Sequence, residues 1–463
     1  PRGKVIGGSS SINGLLYVRG QHADYDHWRQ LGNVGWSFED VLPYFRKSED
    51  QQRGADNYHG SGGPLSVSDA RDTNPLCDAY IDAAEACGYP RNRDFNGADQ
   101  EGYGYYQLTM RDGRRCSAAV GYLNPAKRRP NLTVVSSALV TRVMLEGRRA
   151  VGVAYEQGGL RRSARASGEV ILSAGAFNTP QILQLSGIGP GALLRQHGID
   201  VLFEQPGVGA NYQDHYAARL VYKVNQPITL NDTVNSWALS VKAGLQYALQ
   251  RRGHLALGAC QVGGFVRTNP ATATPDAQMH IMLFSTDKLG TVLHPFSGVT
   301  APIILLRPES KGEVTIGSAD PRDPPVIRGN YLSAQKDRDV MVAAAKIQRR
   351  ICAHPIMQRY LTGEHDPGLA CASDAELVHF IRATGTTVYH PVSTCRMGTD
   401  PGAVVDVRLR FNGIEGLRVV DASIMPALVS GNTNAPTIML AEKGADMILA
   451  DARARGRTAV AAA

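Results

Sequence analysis

The stretch V-I-L-S-A-G-A-F-N-T-P-Q-I-L-Q-L-S-G-I-G, residues 170–189, decides the fold of this chain. It starts with a mostly apolar run that ends at Gly175, as is typical of a strand buried in a parallel sheet. Ligands of open α/β sheets bind at the carboxyl ends of such strands, which is where the glycine and the residues after it fall. The stretch therefore predicts an α/β fold with a ligand site at this edge of the sheet.

A second stretch, T-T-V-Y-H-P-V-S-T-C-R-M-G at residues 386–398, places a histidine beside a proline. Because histidine titrates near neutrality, His390 can take a proton from a hydroxyl group. Pro391 fixes the local backbone and with it the direction from which the ring approaches a ligand. A histidine satisfied inside a core is the alternative interpretation, so this stretch alone makes His390 a candidate base.

The first residues of the chain, G-K-V-I-G-G-S-S-S-I-N-G-L-L-Y-V-R-G at 3–20, form a loop rich in glycine and serine. The glycine pair at 7–8 lets backbone amides approach a ligand closely, and the serines at 9–11 add hydroxyl groups. This pattern suits a phosphate or a flavin. A plain Gly-Ser turn is the alternative.

Together with D-A-S-I-M-P at 421–426 and G-N-T-N-A-P-T at 431–437, these stretches resemble the signatures of the glucose–methanol–choline (GMC) family of flavoprotein oxidoreductases. Within the family, two sequence stretches are most similar to those of bacterial alcohol and choline dehydrogenases: Y-D-H-W and G-W-S-F-E-D-V-L-P-Y-F-R-K-S-E. The resemblance implies an α/β Rossmann-like FAD-binding domain and a substrate domain with an antiparallel sheet backed by helices. We expect the FAD-binding domain at 1–30, 110–215 and 386–455, the substrate domain with connecting loops at 31–109 and 216–385, and a disordered tail at 456–463.

The resemblance also implies the chemistry. We expect FAD-dependent oxidation of a primary alcohol to an aldehyde, in which the substrate carbon passes a hydride to flavin N5 and His390 takes the hydroxyl proton. Asn434 is expected to hydrogen-bond the developing alkoxide. The FAD-binding residues implied by the resemblance are Gly8, Ser9, Asn13, Gly14, Leu16, Val140, Asp421, Ala422, Pro436 and Thr437.

Three expectations rest on single residues. Ile12 stands where some family members carry a histidine that attaches the flavin, so we expect non-covalent FAD. Asp421 follows a short strand and is a natural acceptor for flavin groups, although it could instead cap the following turn. Gln261, in Q-V-G-G-F, stands where choline-oxidising relatives offer a glutamate to the substrate cation, so choline is not expected to be the best substrate.

The family's first unit, a strand followed by G-x-G-x-x-G and a helix, is not found in this sequence. The nearest glycine clusters, at 60–63 and 207–211, do not follow a strand and open a helix. We therefore expect the chain to lack the first βαβ unit and to hold FAD weakly. Two alternatives to alcohol oxidation stay open: a non-catalytic remnant unable to hold FAD, and an enzyme similar to the flavin-containing hydroxynitrile lyases.

Composition limits the partners. The 463 residues are 43% hydrophobic and 20% charged, which is ordinary for a globular protein of two domains. The net charge of +7 comes from scattered Lys and Arg, so nucleic-acid binding is not expected. Seven cysteines without C-x-x-C predict no metal site and a reducing compartment. We expect a cytoplasmic protein whose partners are a small-molecule alcohol and an electron acceptor, which is a quinone, another carrier or O2.

Residues 236–250 predict a helix with Trp237, Val241 and Leu245 on one face. Core packing is the favoured role of this face, but Arg251 and Arg252 follow the helix, so peripheral association with the inner membrane stays open. Other local predictions are a helix between Asn74 and Gly88, a helix capped by Ser333, and strands at 131–137, 138–145 and 150–157.

Overall fold

The computed structural model describes residues 2–258, 260–288 and 290–461, with side chains as far as residue 454 in the last helix. In chain order the α-helices are α1 His22–Gln30, α2 Phe38–Ser48, α3 Pro75–Ala86, α4 Asn124–Ala126, α5 Gly175–Leu185, α6 Gly191–Gln196, α7 Leu230–Val234, α8 Trp237–Gln250, α9 Gln335–Cys352, α10 Pro355–Gln358, α11 Asp374–Thr384 and α12 Asn434–Ala461. Three short 3₁₀ turns lie at Gly8–Ser11, His254–Ala256 and Ala422–Ile424, and one π-helical turn at Ala119–Leu123.

The strands lie between these helices, often several in succession. They are β1 Glu49–Gln51, β2 Leu65–Val67, β3 Gly102–Tyr105, β4 Met110–Arg111, β5 Arg114–Arg115, β6 Ala138–Glu146, β7 Arg149–Gln157, β8 Leu160–Arg165, β9 Val170–Leu172, β10 Ile188–Gly189, β11 Phe203–Glu204, β12 Tyr216–Val224, β13 Val262–Val266, β14 Ala277–Ile281, β15 Gly298–Leu305, β16 Glu313–Thr315, β17 Val326–Arg328, β18 Leu361–Asp366, β19 Thr386–Thr387 and β20 Leu417–Val419.

The largest sheet has seven strands in the order β18-β12-β15-β14-β13-β3, with β19 pairing beside β12, and every pairing in it is antiparallel. Strands β13, β14 and β15 are buried along their whole length, because helices α3, α9 and α11 pack on the sheet. Their buried apolar side chains form one core with those of the helices. The structure thus confirms an antiparallel sheet backed by helices.

A smaller parallel pair organises the other half of the molecule. Strands β9 and β20 pair in parallel, with Val170 opposite Leu417 and Leu172 opposite Val419. Both strands end at the same edge, where α5 starts after β9 and the 3₁₀ turn starts after β20. This arrangement confirms the α/β prediction made from residues 170–189. An antiparallel sheet of β6, β7 and β8 lies beside it.

The buried apolar residues form two large cores, which draw on different ranges of the sequence. One contains buried residues of 76–103 and 216–381, and the other contains buried residues of 17–67, 116–208 and 392–440. Side chains of residues 36–67 therefore pack in the core of β9 and β20, away from the seven-stranded sheet. The domain boundaries themselves stay a prediction. Of the tail at 456–463, α12 includes residues as far as Ala461, and residues 462–463 lie outside the described ones.

Local predictions succeed where a cap or a turn fixes the backbone. The Asn74 side chain accepts a hydrogen bond from the Leu76 amide at 3.0 Å, and Gly88 has a φ of 94°, as predicted for the two ends of α3. Strands β6 and β7 also lie where they were predicted. Residues 131–137 are not a strand, because they are exposed and pair with no neighbour. Ser333 does not cap α9: the helix starts after Ala334, and the Ser333 hydroxyl donates to Ser310 Oγ at 3.0 Å.

The predicted core packing of α8 is wrong. Ser236 caps the helix as its sequence suggests, but Trp237, Val241 and Leu245 are all exposed. Ala243 is the buried residue among those of α8. The helix therefore lies on the protein with its small side inward and its large apolar side toward solvent.

Candidate active site

A buried carboxylate holds the backbone of His390. The His390 amide donates to Asp214 Oδ1 at 2.8 Å. Asp214 Oδ2 accepts from the hydroxyls of Tyr212 and Tyr331, each at 2.8 Å, and from the hydroxyl of Thr387. Burial raises the pKa of Asp214, and the hydrogen bonds oppose that effect. Because so many donors converge on one carboxylate, the position of the His390 main chain is tightly determined.

The His390 ring pairs with a second histidine. Its Nδ1 lies 2.9 Å from Nδ1 of His215, and the two rings meet edge to face. Nε2 of His215 lies 3.0 Å from the carbonyl oxygen of Leu306. A carbonyl only accepts, so the proton of neutral His215 is on Nε2 and its Nδ1 is an acceptor. His390 must then donate from Nδ1, which leaves a lone pair on its Nε2.

Both histidines are neutral at physiological pH. Burial lowers the pKa of His215 to about 4. Burial also holds the pKa of His390 well below its ordinary value, and the nearby His215, Arg2 and His280 add to this effect. His390 is thus a neutral base whose Nε2 carries a lone pair, rather than an imidazolium ion.

Asn432 is the amide that donates to this lone pair on His390 Nε2. Its Nδ2 lies 3.2 Å from Nε2 of His390, and its Oδ1 is buried with no hydrogen-bond partner among the described residues. An unpaired buried acceptor beside a base is what a site for a hydroxyl group requires. Asn434, the residue expected from sequence, is the first residue of α12 and is partly exposed. The contact with His390 is made two residues earlier in the same N-T-N motif.

The Gly-Ser loop at the start of the chain forms a close turn. Gly8 has a φ of 56° and a side chain added there would meet open space, which leaves room for a ligand against the backbone. The Arg115 guanidinium donates to Asn13 Oδ1 at 2.5 Å and to the carbonyl of Ser10 at 3.1 Å. Leu16 is buried behind the loop. The Ser9 hydroxyl accepts from the Gly3 amide at 3.3 Å, and Gly14 is exposed.

Residues 111–130 contain several arginines and a lysine, and Arg115 is the one that contacts the Gly-Ser loop. This side chain is half-buried against the loop, whereas the cluster at 127–129 is exposed. One arginine of the stretch therefore positions the loop, and the cluster is solvated.

Asp421 links the two strand ends. Its Oδ2 accepts from the Gly175 amide at 2.8 Å and from the Thr179 hydroxyl at 2.6 Å, and its Oδ1 accepts from the Ser423 amide at 2.8 Å. The carboxylate therefore caps the turn that follows it, which is the alternative raised from sequence, and it also fixes the start of α5. Gly175 has a φ of 84° and open space beside its Cα.

The remaining residues expected at the cofactor lie on neighbouring elements. Val140 is a partly buried residue of β6, and Ala422 opens the 3₁₀ turn after β20. Pro436 is buried in the first turn of α12, and the Thr437 hydroxyl donates to the Thr433 carbonyl at 2.7 Å. The N-terminal end of α12 begins two residues after Asn432, and the first amides of a helix lack partners within the helix. Open space at Gly8 and Gly175, a free acceptor on Asn432 and a helix N-terminus together fit a flavin.

Among the described residues, no group of three or more His, Cys, Asp and Glu side chains could hold a metal ion. No helix in the described part of the chain is long and apolar enough to cross a membrane. His354 caps α10 by accepting from the Ile356 amide at 3.3 Å, which is a structural role.

Sequence reasoning missed His215 and Asn432. His215 lies in Q-D-H at 213–215, a stretch that carried no assigned role because its partner is 175 positions away along the chain. Asn432 lies in the motif that was singled out, and the spacing alone could not decide which asparagine of N-T-N faces His390.

Known proteins resemble this chain over nearly its whole length. Models of the GMC oxidoreductase family match residues 1–217 and 308–441. The chain is 43% identical to the alcohol dehydrogenase (acceptor) of Pseudomonas putida, over 97% of this chain and 82% of that protein. It is 44% identical to the mitochondrial choline dehydrogenase of Homo sapiens, over 97% of this chain and 76% of that protein. An FAD-dependent oxidoreductase from Chaetomium thermophilum superposes with a TM-score of 0.89 at 26% identity, over 98% of this chain and 87% of that one.

Proposed function

The chain belongs to the GMC oxidoreductase family. It is an FAD-dependent oxidoreductase that acts on CH–OH donors, and we propose that its substrate is a primary alcohol. In this proposal His390 accepts the hydroxyl proton while the alcohol is oxidised to an aldehyde. One observation carries the proposal: the hydrogen bond from His390 Nδ1 to His215 leaves the lone pair on His390 Nε2. That nitrogen is the atom that lies beside Asn432.

In the proposed reaction, the hydride and the proton of the alcohol go to different groups. FAD, when bound, supplies the acceptor for the hydride that leaves the alcohol carbon. His390 Nε2 takes the proton of the hydroxyl, so the alcohol loses one proton and one hydride and becomes the aldehyde. The positive charge that then develops on the His390 ring is shared through its Nδ1–H, which donates to neutral His215.

An amide orients the substrate oxygen in the proposal. Asn432 Nδ2 is near enough to Nε2 of His390 that one oxygen atom could contact both groups. A donor aimed at a developing alkoxide stabilises the transition state more than the neutral alcohol. Asn434 stays a second candidate for this role, and the two asparagines are separable by substitution.

The proposed partners are a small-molecule alcohol and an electron acceptor, which is a quinone, another carrier or O2. The residues that we propose to hold FAD are the Gly-Ser loop with Asn13, the strand ends at Asp421 and Ala422, Val140, and the start of α12. Because Ile12 is exposed in this loop and has no nucleophilic side chain, we propose that the cofactor is held without a covalent bond.

Anaerobic reduction of the flavin by an alcohol tests the proposal. His390→Ala should slow flavin reduction by roughly 10² to 10⁴, the range for removal of a general base. The rate is expressed per bound flavin, so a variant that merely loses cofactor is recognised. An unchanged rate per flavin would remove His390 from the mechanism. A substrate that is turned over while the flavin stays oxidised would instead indicate a lyase.

A further inference from the structure

The outer side of α8 carries an uncovered apolar stripe. Trp237, Val241, Leu245 and Leu249 follow each other at intervals of four residues and are 82%, 52%, 57% and 81% exposed. Residues at this spacing lie on one side of a helix. We call these four residues the α8 stripe. Large apolar side chains that are exposed in a row, rather than singly, mark an interaction site.

Other apolar side chains near α8 in the sequence are exposed as well. Val234 precedes α8 and Leu255 follows it, and both are exposed. Val292, also exposed, belongs to a loop whose His294 carbonyl accepts from Asn231 and Asn235, at the two ends of α7. Exposed apolar side chains thus also occur in the segments on both sides of α8 and in the loop that is bonded to α7.

Cations border the stripe. Lys242 is exposed on the helix beside Val241, and Arg251 ends the helix with its guanidinium over the Tyr247 ring at 4.8 Å. Arg252 follows and pairs with Asp72 at 3.2 Å. The nearest acid on the N-terminal side, Asp232, is engaged by the Thr229 hydroxyl at 2.7 Å and by Ser297. Among the described residues, neither Lys242 nor Arg251 forms an ion pair, so the edge of the stripe is positively charged.

We propose that the α8 stripe is the surface by which the protein docks onto an anionic lipid bilayer. A 14-residue helix is about 21 Å long, so one face of it covers roughly 200 Å². A stable protein–protein interface needs roughly 800 Å² from each partner. A bilayer needs only an apolar helix face with aromatic and aliphatic side chains and cations along its edge, which is what α8 presents. The positive edge selects a membrane that carries negative headgroups.

The stripe lies one hairpin away from the proposed cofactor loop. The Tyr247 hydroxyl lies 3.5 Å from the Gly113 carbonyl, and β5 of the same hairpin carries Arg115, which binds Asn13. Docking through α8 would thus bring the Gly-Ser loop close to the lipid surface. This position suits an alcohol or an electron acceptor that partitions into the bilayer, a consequence that rests on the proposed function. The docking itself does not.

The chain contains its own probe for docking. Of its three tryptophans, Trp28 and Trp36 are fully buried, so a change in emission on lipid addition reports Trp237. With vesicles of phosphatidylcholine and phosphatidylglycerol, Trp237 emission should shift to the blue, and the protein should sediment with the vesicles. Trp237→Phe keeps an apolar side chain and should still sediment, while its emission no longer shifts.

Paired substitutions then locate the surface. Leu245→Ser with Leu249→Ser should abolish co-sedimentation, whereas Leu160→Ser, at a position 61% exposed on the β7–β8 hairpin, should leave it unchanged. Lys242→Gln and Arg251→Gln should each weaken binding roughly fivefold, equivalent to about 1 kcal/mol. Flavin content and alcohol oxidation in detergent-free buffer are measured for every variant, so loss of docking is distinguished from loss of function or fold.

Three results would overturn the proposal. One is co-sedimentation that survives the double leucine substitution. Another is equal binding to phosphatidylcholine alone, since the cationic edge would then have no role. The third is a dimer in solution that the double substitution dissociates, with no binding to vesicles, because the stripe would then face a second copy of the chain.

Discussion

Nδ1 of His215 lies 2.9 Å from Nδ1 of His390, and the opposite nitrogen of His215 is committed to the Leu306 carbonyl. The carbonyl thus determines, through one neutral ring, which nitrogen of the other ring carries a proton. A residue that acts in this way is a positioning residue: it sets the tautomer and orientation of the base without contacting substrate.

Substitution of His215 by alanine tests this relationship. His215→Ala should lower the rate of flavin reduction roughly 10- to 100-fold, as is typical when an orienting partner is lost. The pKa of His390 should rise, because water can enter and the neighbouring ring is gone, so the acid limb of the rate profile should move to higher pH. His215→Gln offers an amide oxygen to His390 Nδ1 and should restore part of the rate. A slower rate with an unmoved acid limb would indicate only a packing defect.

Acid should destabilise the folded protein through its buried histidines. Burial lowers the pKa of His215 to about 4 and that of His280 to about 3, whereas an unfolded histidine titrates near 6.5. Between these values the unfolded chain binds protons that the folded chain does not, so the free energy of unfolding falls as pH falls. His280 alone should account for a loss on the order of 3 kcal/mol by pH 4.

Urea unfolding at a series of pH values measures this loss. His280→Leu removes one of the titrating groups and should make the loss of stability between pH 6.5 and 4 less steep, with the remainder due to His215. His354→Leu is the matched control, since that ring caps a surface helix. Identical slopes for the His280→Leu variant and the unmodified chain would contradict the prediction.

The sequence predicted those features that depend on a few neighbouring residues. A turn at the glycine pair and a strand in the apolar run before Gly175 have local causes, and the structure contains both. His215 has no such signal, because its importance comes from a contact made across the fold. Residues 131–137 show the reverse case: their β propensity is real, but they have no neighbouring strand to pair with.

Helix α8 shows a further limit of sequence periodicity. A repeat of apolar residues shows that a helix has two unlike sides, but it does not say which side meets the protein. Here the small residue Ala243 faces inward, and the large side chains of the α8 stripe face solvent. The same pattern thus correctly predicted the helix, but it wrongly predicted that the apolar side of the helix packs in the core.

The mode of flavin attachment follows from one side chain. Ile12 is exposed in the Gly-Ser loop and cannot form a covalent bond to a flavin. Acid precipitation of the flavoprotein should therefore release all of the flavin into a yellow supernatant. An Ile12→Val variant, equally unreactive, serves as the control. Flavin that stays in the pellet would show a covalent link at another residue.

Choline should be oxidised less efficiently than uncharged primary alcohols. Gln261 is buried, and its Oε1 accepts from the Cys77 thiol at 3.5 Å. A neutral amide cannot supply the ion pair that a quaternary ammonium group needs when it leaves water. The comparison is kcat/KM for choline and for uncharged primary alcohols. A higher value for choline would contradict the prediction, and Gln261→Glu tests whether a carboxylate at this position changes the preference.

The two asparagines of the N-T-N motif should differ in their effect on catalysis. Asn432→Ala removes the amide beside His390 Nε2 and should slow flavin reduction by roughly 10² to 10³, as for one oxyanion donor. Asn434→Ala changes a partly exposed residue at the start of α12 and should cost less. Both variants keep the helix N-terminus, so each is the matched control of the other.

The comparison must separate chemistry from binding. A lost alkoxide donor should lower the reduction rate at saturating alcohol, whereas a lost helix contact should lower flavin content and leave the rate per flavin intact. Asn432→His offers a donor of another shape at the same place and should recover part of the rate. If Asn434→Ala proves the slower variant at equal flavin content, the substrate oxygen lies toward the helix start, and Asn432 serves only to orient the His390 ring.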